Sequence, residues 1–231
     1  MGTHDTSRLS VLSALGLLVA GCFDVHDVDP GLYVLDDFED GDLVPADPAF
    51  GAWEPFTFPD TNKMFTFDHG DGFDGSQYAL YVDFTVVDKP NGVQEGGGAG
   101  LLSNLVKTAK PVDFTRYREF DFSVSLASGD PPLSKDAELR VELGCRTASA
   151  EDGSMPGTLF VTRGASYDVN WQSKRFTLAN FGLSPTINTP IRGGPEACLS
   201  RVDSIKFKVT GDVPDGQTGR GILRIDKVML R

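Results

Sequence analysis

The chain has 231 residues and a formal net charge of −12 at pH 7, and 40% of its residues are hydrophobic. This acidity argues against a nucleic-acid partner, because such binding depends on Lys and Arg side chains that neutralise phosphates. It also disfavours a polybasic contact with anionic lipid, whereas calcium or a neutral ligand is compatible with an acidic surface.

A short apolar run, residues 9–20, follows Arg8 and ends at Gly21 and Cys22. A positive residue, a short apolar stretch and small residues before a cut form the anatomy of a secretory signal, and the run is too short to span a bilayer. The segment Val19-Ala20-Gly21-Cys22 resembles the bacterial lipobox, where signal peptidase II cuts and the new N-terminal cysteine is acylated. The alternative is an ordinary cleaved signal in which Cys22 has no role.

Acylation of Cys22 would tether the protein to a membrane, since each buried methylene contributes about 0.8 kcal/mol and several chains together anchor firmly. Phe23, not Asp, follows Cys22, so the inner-membrane retention pattern of enterobacterial lipoproteins is absent. We therefore expect a lipid-anchored protein of the bacterial cell envelope, at the outer membrane or cell surface. Residues 1–21 are then the signal peptide, residues 22–34 an acidic tether, and residues 35–231 one domain.

The chain has three cysteines, and acylation of Cys22 would leave Cys145 and Cys198 as a pair. Two remaining thiols often bridge in an oxidising compartment. A loop of about 50 residues closed in this way stabilises a fold by roughly 4 kcal/mol in the chain-entropy model. We predict a Cys145–Cys198 disulfide, while two thiols too far apart to bridge are the alternative.

Apolar residues recur at every second position in four segments, which are 78–87, 119–126, 138–145 and 204–210. Because a strand points alternate side chains to opposite faces, each segment is predicted to be a strand with one buried and one wet face. Turn signals such as Gly129-Asp130-Pro131-Pro132 separate the strands. The pattern predicts an all-β fold, a two-layer antiparallel β-sandwich or jelly roll.

The last predicted strand, residues 221–230, breaks this alternation. Leu223 and Ile225 fall on one face, whereas Val228 and Leu230 fall on the other. Either a β-bulge restores a single apolar face, or both faces of this strand are covered.

Four segments, taken in order, resemble known modules; they are 35–41, 112–124, 171–181 and 202–228. They are similar to carbohydrate-binding-module jelly rolls of the galactose-binding-like superfamily, and most similar to family 11. The resemblance spans residues 35–231 and implies a galactose-binding-like jelly roll that binds a polysaccharide without catalysis. The same scaffold also appears in the intermediate-associated protein 30 family, which is not defined by sugar binding. A structural or protein-interaction lipoprotein without a sugar ligand is therefore the alternative.

The resemblance also implies a structural calcium ion between the first and last strands, and the matching positions are Glu39 and Asp226. Calcium takes 6 to 8 oxygen ligands from carboxylates and backbone carbonyls, so this pair would join the two ends of the domain. Exposed acids at strand ends are the alternative for Glu39 and Asp226. A second acidic cluster, residues 68–75, has the wrong spacing for an EF-hand loop and is interpreted as a turn.

Sugar recognition needs aromatic faces for pyranose rings, and carboxylates or Arg for hydroxyls. Trp53 is the aromatic candidate, because residues 50–53 resemble the stretch that carries a stacking aromatic in the family 11 module; a core position is the alternative. Trp171 is assigned to the core by the family pattern. The polar candidates lie on the polar faces of predicted strands and would form one cleft if those faces are continuous: Tyr81, Asp83, Asp121, Arg140 and Glu142.

Catalysis has little support in the sequence. After removal of the signal two histidines are left, His26 and His69, and neither a Gly-x-Ser-x-Gly elbow nor a His-Glu-x-x-His motif occurs. We therefore predict a monomeric, non-catalytic binding module. Its partners would be a glycan and, through the N-terminal lipid, a membrane.

Overall fold

The computed structural model describes residues 31–58, 63–69, 72–87, 98–104, 109–133, 137–146, 158–165, 168–183, 194–210 and 218–231. Cys22, the signal peptide and most of the tether lie outside these residues, as do Gly70 and Asp71 of the acidic cluster. Within the described ranges, no helix combines the length and apolarity that a membrane crossing requires.

The described part of the chain is built almost entirely of strands. In chain order they are β1 (Tyr33–Asp36), β2 (Glu54–Phe58), β3 (Lys63–His69), β4 (Tyr78–Val87), β5 (Gly98–Asn104), β6 (Glu119–Ser128), β7 (Glu138–Arg146), β8 (Thr158–Ala165), β9 (Gln172–Thr177), β10 (Gly182–Leu183), β11 (Val202–Thr210) and β12 (Thr218–Leu230). One short helix, α1 (Gly194–Leu199), precedes β11, and 3₁₀ turns occupy Phe73–Gly75, Phe114–Arg116 and Leu178–Asn180.

The strands form two antiparallel sheets, each of six strands among the described residues. Sheet A has the order β3-β4-β12-β6-β9, and β1 pairs with the end of β12, where Tyr33 lies opposite Leu230. Sheet B has the order β10-β8-β7-β11-β5-β2. This arrangement confirms the predicted all-β, two-layer antiparallel sandwich.

The apolar faces of the two sheets pack against each other in one core. The apolar residues of the alternating segments are buried on the inner faces of the two sheets, among them Val82 in β4, Phe122 in β6, Val141 in β7 and Phe207 in β11. The rings of Phe122 and Phe207 bring the two sheets together at 5.1 Å between centroids. Full burial of such a side chain contributes about 1.5–3 kcal/mol, so these rings hold the two layers together.

Strand β6 differs from its prediction, because its polar face is buried as well. Ser125 is 1% exposed, and its hydroxyl donates to the carbonyl oxygen of Val169 at 2.7 Å. The Leu126 amide donates to the Asp168 carbonyl oxygen at 2.9 Å, so the segment before β9 is fixed to β6. Trp171, at the end of this segment, is half-buried, and its ring centroid lies 6.1 Å from that of Phe73. The prediction that Trp171 is a core residue is therefore wrong.

A β-bulge in β12 explains the broken alternation in the sequence. The register shifts between Asp226 and Met229, and Lys227 adopts a φ of 51° in the left-handed region. Residues on both sides of the bulge are fully buried in the same core: Leu223, Ile225, Val228 and Leu230. The bulge alternative is therefore confirmed, since one extra residue reverses the alternation.

The predicted disulfide is present. Cys145 of β7 is bonded to Cys198 of α1, with the two Cα atoms 5.2 Å apart and a sequence separation of 53 residues. Both cysteines are buried, so the bond fastens α1 to the interior of sheet B.

Candidate functional site

The outer face of sheet B carries charged side chains on its two central strands. Lys206 pairs with Glu142, and Lys208 pairs with Arg140, across β11 and β7. Phe207, which lies between the two lysines on β11, is buried in the core. Because side chains alternate along a strand, Lys206 and Lys208 point outward from sheet B, together with their partners on β7.

One carboxylate holds both lysines. Glu142 Oε2 lies 3.2 Å from Lys206 Nζ, and Glu142 Oε1 lies 3.8 Å from Lys208 Nζ. Glu142 is buried, and a buried carboxylate is costly unless it is paired. The two ammonium groups meet this requirement, and Glu142 in turn fixes their positions on the face.

An aromatic ring lies beside this ion-pair network. Lys206 Nζ is 5.0 Å from the centroid of the half-buried Phe56 ring, which comes from the edge strand β2. A cation at this distance is attracted by the face of the ring. Phe56 and Lys206 therefore lie in contact on the outer face of sheet B, with the ammonium group over the ring.

Arg140 extends the network toward β8. Its Nε donates to Glu138 Oε2 at 2.8 Å, within the same strand. The Glu138 carboxylate lies over Gly164, where a Cβ would be 2.1 Å from Oε1. Gly164 thus leaves the space that the Arg140–Glu138 pair occupies. We refer to Phe56, Arg140, Glu142, Lys206 and Lys208 together as the sheet B cluster.

The predicted polar candidates are divided between the two sheets. Arg140 and Glu142 belong to the sheet B cluster, whereas Tyr81, Asp83 and Asp121 lie on strands β4 and β6 of sheet A. The outer faces of a sandwich point away from each other, because the core separates the sheets. The prediction of one cleft formed by all five residues is therefore wrong.

Trp53 is not available for stacking on a ligand. Its side chain is 1% exposed, and its indole Nε1–H donates to Asp36 Oδ2 at 2.7 Å. Its ring packs against Phe38 and Phe207 at centroid distances of 6.1 and 5.9 Å. The ligand-stacking prediction for Trp53 is wrong, and the core alternative holds because an indole with a buried acceptor packs well in the interior.

Tyr81 and Asp83 form structural pairs on sheet A. Asp83 is bound by the Arg220 guanidinium, whose Nε donates to Oδ1 at 2.8 Å and whose Nη2 donates to Oδ2. The Arg224 guanidinium lies 5.3 Å from the centroid of the Tyr81 ring. These contacts connect β4 with β12 and account for both residues without a ligand.

Asp121 joins the ends of three strands. It accepts a hydrogen bond from Arg175 Nη2 of β9 at 3.0 Å, and Arg231 Nε after β12 lies 2.9 Å from its Oδ2. Asp121 itself is 6% exposed, so its carboxylate is largely enclosed by these two arginines. Its role in the described structure is to fasten the edge of sheet A.

The two predicted calcium ligands are brought to the same turn. The Ser76 hydroxyl donates to Glu39 Oε1 at 2.5 Å. The Phe73 amide donates to Asp226 Oδ2 at 2.8 Å. Glu39 and Asp226, from opposite ends of the domain, therefore both contact the segment that leads into β4.

The other oxygen of Asp226 meets no hydrogen-bond partner in the described part of the chain. Oδ1 is buried without a donor, and burial raises the pKa of Asp226 above its usual value. For Glu39, the hydrogen bond from Ser76 lowers the pKa. An enclosed carboxylate oxygen that lacks a donor is a place where a cation would be stabilised.

Backbone oxygens lie near Gly72, the neighbour of Phe73, whose amide donates to this carboxylate. A Cβ on Gly72 would be 2.8 Å from the carbonyl oxygens of both Ser76 and Tyr78, so these two oxygens converge on the turn. The described residues contain no group of three or more His, Cys, Asp or Glu side chains that could hold a metal ion. A cation here would therefore take carbonyl or water oxygens as well, which suits the hard, oxygen-preferring calcium ion.

Three residues of the sheet B cluster were missed as site candidates in the sequence. Lys206 and Lys208 lay on the predicted polar face of their strand, and two lysines together in an acidic chain were the available signal. Phe56 gave no signal, because the short strand β2 contains Pro55 and follows no clear alternation.

Comparisons with known proteins concern the fold. No family model and no curated protein matches the chain. The family 11 carbohydrate-binding module of the cellulosomal cellulase Lic26A-Cel5E of Clostridium thermocellum aligns with a TM-score of 0.56 at 15% identity, over 87% of this chain and 94% of that one. A family 11 module of the same organism, in complex with a β-1,3-1,4-mixed-linked tetrasaccharide, aligns with a TM-score of 0.56 at 16% identity, over 86% and 94%. The described chain thus has the jelly-roll fold of carbohydrate-binding modules.

Proposed function

We propose that this protein is a non-catalytic glycan-binding module that uses the outer face of sheet B. The observation that carries the proposal is the position of Phe56 beside the Lys206–Glu142–Lys208 network on one sheet face. The half-buried ring offers an apolar surface for the C–H face of a pyranose, and the charged groups hydrogen-bond its hydroxyls. The jelly-roll fold supports this, since its structural neighbours are carbohydrate-binding modules.

Binding without hydrolysis is part of the proposal. Glycosidases use two carboxyl groups about 5–9.5 Å apart. The two glutamates of β7, Glu138 and Glu142, are four positions apart in one strand, so their Cα atoms are separated by about 13 Å. Glu142 is moreover bound to both Lys206 and Lys208, so its carboxylate is already engaged.

We further propose an exported protein that is anchored through lipid on Cys22. The apolar run before Gly21 and Cys22 supports this. The Cys145–Cys198 disulfide also supports it, because such bonds persist in oxidising compartments outside the cytoplasm. The module would then act at the membrane surface of the cell envelope.

A structural calcium ion held by Glu39 and Asp226 is a further part of the proposal. The donorless Oδ1 of Asp226 supports it, as do the converging carbonyl oxygens of Ser76 and Tyr78. When bound, the ion would supply the positive charge that this buried carboxylate lacks. Glu39 in the loop after β1 and Asp226 at the bulge of β12 would then be joined through the ion to the turn before β4.

Affinity electrophoresis tests the glycan-binding function. The chain from Phe23 onward would be run through gels that contain different polysaccharides, including mixed-linkage β-glucan, with and without calcium. Retardation by at least one polysaccharide is the expected result. A folded, calcium-supplied protein that no member of a broad panel retards would contradict the proposal.

The second candidate function is a structural or protein-interaction module on the same scaffold. It is favoured by the burial of Trp53, which removes the large aromatic expected to stack on a sugar. Absence of retardation in the electrophoresis panel is the outcome that this candidate predicts.

A further inference from the structure

We propose that Trp53 and Asp36 are positioning residues for the glycan site. Their buried hydrogen bond fixes the edge strand β2, and β2 carries Phe56, the ring that the proposed function assigns to the sugar. This inference rests on that proposed function. It gives Trp53 an indirect role in place of the stacking role that its burial excludes.

Strand β2 has little of its own to hold it in place. It lies at the end of sheet B and, among the described strands, is paired with β5 alone. Its second residue, Pro55, has no amide hydrogen to donate to the ladder. Gly100, opposite Phe56 on β5, has no side chain to support the ring. The position of Phe56 therefore depends on how firmly the backbone of β2 is held.

Trp53 anchors the start of β2 from the inside of the sandwich. It directly precedes Glu54, the first residue of β2. The centroid of its ring lies 5.9 Å from that of Phe207, the β11 residue between Lys206 and Lys208. On the outer side, Phe56 of β2 meets Lys206 of β11. Trp53 thus joins, from within the core, the same two strands whose side chains meet on the outer face.

Asp36 fixes the orientation of the indole and belongs to the other sheet. It is the last residue of β1 and lies opposite Val228 of β12, in sheet A. Its Oδ2 accepts the hydrogen bond from Trp53 Nε1 at 2.7 Å. A hydrogen bond requires a defined distance and direction, which apolar packing alone does not impose. This bond therefore holds the start of β2 in a defined place relative to sheet A.

The contact is sensitive to the loss of either partner. Both residues are 1% exposed, so removal of the donor or of the acceptor leaves a buried polar group unsatisfied. Other bonds still hold the segment before β2. The Gly51 amide donates to the Asn104 carbonyl oxygen, and the Ser103 hydroxyl donates to the Gly51 carbonyl oxygen, both at 2.7 Å. Loss of the indole bond should therefore shift β2 without releasing it from β5.

Removal of the indole N–H tests the inference. Trp53→Phe keeps a ring against Phe38 and Phe207 but takes away the donor. Dissociation constants would be measured for mixed-linkage β-glucan, or for whichever panel polysaccharide retards the wild type most. We expect Trp53→Phe to bind several-fold more weakly, up to the loss of about tenfold expected for Phe56→Ala.

A combined variant tests whether Trp53 acts through Phe56. Two changes that act independently multiply their effects on the dissociation constant, whereas changes that act through one group do not. Trp53→Phe should therefore add nothing to the loss that Phe56→Ala causes alone. A residue with only a structural role would leave the affinity of the folded protein unchanged in both backgrounds.

A destabilised core variant is the matched control. Val86 is fully buried and lies opposite Gly219 on β12, whereas Asp36 lies opposite Val228 on the same strand. The two places are about 30 Å apart along β12. Val86→Ala should lower the temperature of thermal unfolding and keep the wild-type dissociation constant, measured where all variants are folded.

Three outcomes would overturn the inference while leaving glycan binding intact. They are wild-type affinity in a folded Trp53→Phe, an equal loss of affinity in Val86→Ala, and a loss in the combined variant equal to the product of the two single losses. A wild type that binds no polysaccharide of a broad panel would reject both the function and the inference. If Trp53→Phe is misfolded, Asp36→Ala, which removes the acceptor and leaves the indole, takes its place with the same expected results.

Discussion

The indole Nε1–H of Trp53 donates a hydrogen bond of 2.7 Å to Oδ2 of Asp36, and both residues are 1% exposed. The Phe38 amide donates to the other carboxylate oxygen at 2.8 Å. Burial raises the pKa of Asp36 to about 7, against the opposing effect of these two hydrogen bonds. The end of β1 and the segment before β2 therefore share one buried, titratable contact.

This contact predicts a stability that falls as the pH rises. The pKa of Asp36 is higher in the folded state than its ordinary 3.8, so the folded state binds more protons between pH 3.8 and about 7. The contribution of Asp36 to the free energy of unfolding should decline across this window, by up to about 4 kcal/mol. Denaturant unfolding of the wild type and of Asp36→Asn at fixed calcium, over a pH series, measures it. Parallel pH profiles for the two proteins would contradict the assignment.

Calcium should stabilise the domain through Asp226. An ion that binds only the folded state adds about 2.7 kcal/mol at a concentration of 100 Kd, which raises the melting temperature. Asp226→Asn should lose most of this rise, because the donorless oxygen no longer carries charge. Calorimetry with calcium and with a chelator gives the comparison, and Asp113→Asn at an exposed turn is the matched control. The same melting temperature for the wild type under both conditions would rule out the site.

Gly72 should tolerate no side chain. A Cβ there would lie 2.4 Å from the Ser76 Cβ and 2.8 Å from two backbone oxygens. Gly72→Ala is expected to lower the free energy of unfolding by about 1–3 kcal/mol, since backbone must move. Gly182→Ala, where an added Cβ would meet nothing within 4 Å among the described residues beyond its own chain neighbours, should change it by no more than about 0.5 kcal/mol. Equal denaturation midpoints for the two variants would refute the packing described at the turn.

The disulfide should contribute strongly to stability. The bond closes a separation of 53 residues, for which the chain-entropy model gives about 4 kcal/mol. The double variant Cys145→Ala with Cys198→Ala should unfold at a lower denaturant concentration than the wild type. Added reductant should destabilise the wild type and leave the double variant unchanged. A reductant effect of the same size on both proteins would show that the bond is not the cause.

Sequence periodicity predicted the individual strands well, but not which strands lie next to each other in a sheet. The alternation in β4, β7 and β11 is a direct consequence of one buried face, so it is visible in the residues themselves. Which sheet a strand joins depends on contacts between distant segments. For that reason Asp83 and Arg140 looked equivalent in the sequence, although they lie on opposite faces of the sandwich.

The candidate site was predictable only in part for similar reasons. Arg140 and Glu142 were found because they alternate with buried residues in β7. Trp53 precedes β2 in a segment without periodicity, so nothing local distinguished a core indole from an exposed one. The hydroxyl of the buried Ser125 donates to the Val169 carbonyl oxygen, 44 positions away in the chain, and a contact with so distant a segment leaves no mark on the sequence of β6.

The most direct test of the central claim compares aromatic removal on the two outer faces. The dissociation constant for a polysaccharide that retards the wild type would be measured for Phe56→Ala on sheet B and for Tyr81→Ala on sheet A. The account predicts that Phe56→Ala binds about tenfold more weakly, through loss of stacking, and that Tyr81→Ala binds as the wild type does. Wild-type affinity in a folded Phe56→Ala, or loss of binding in Tyr81→Ala alone, would contradict the assignment of glycan binding to sheet B.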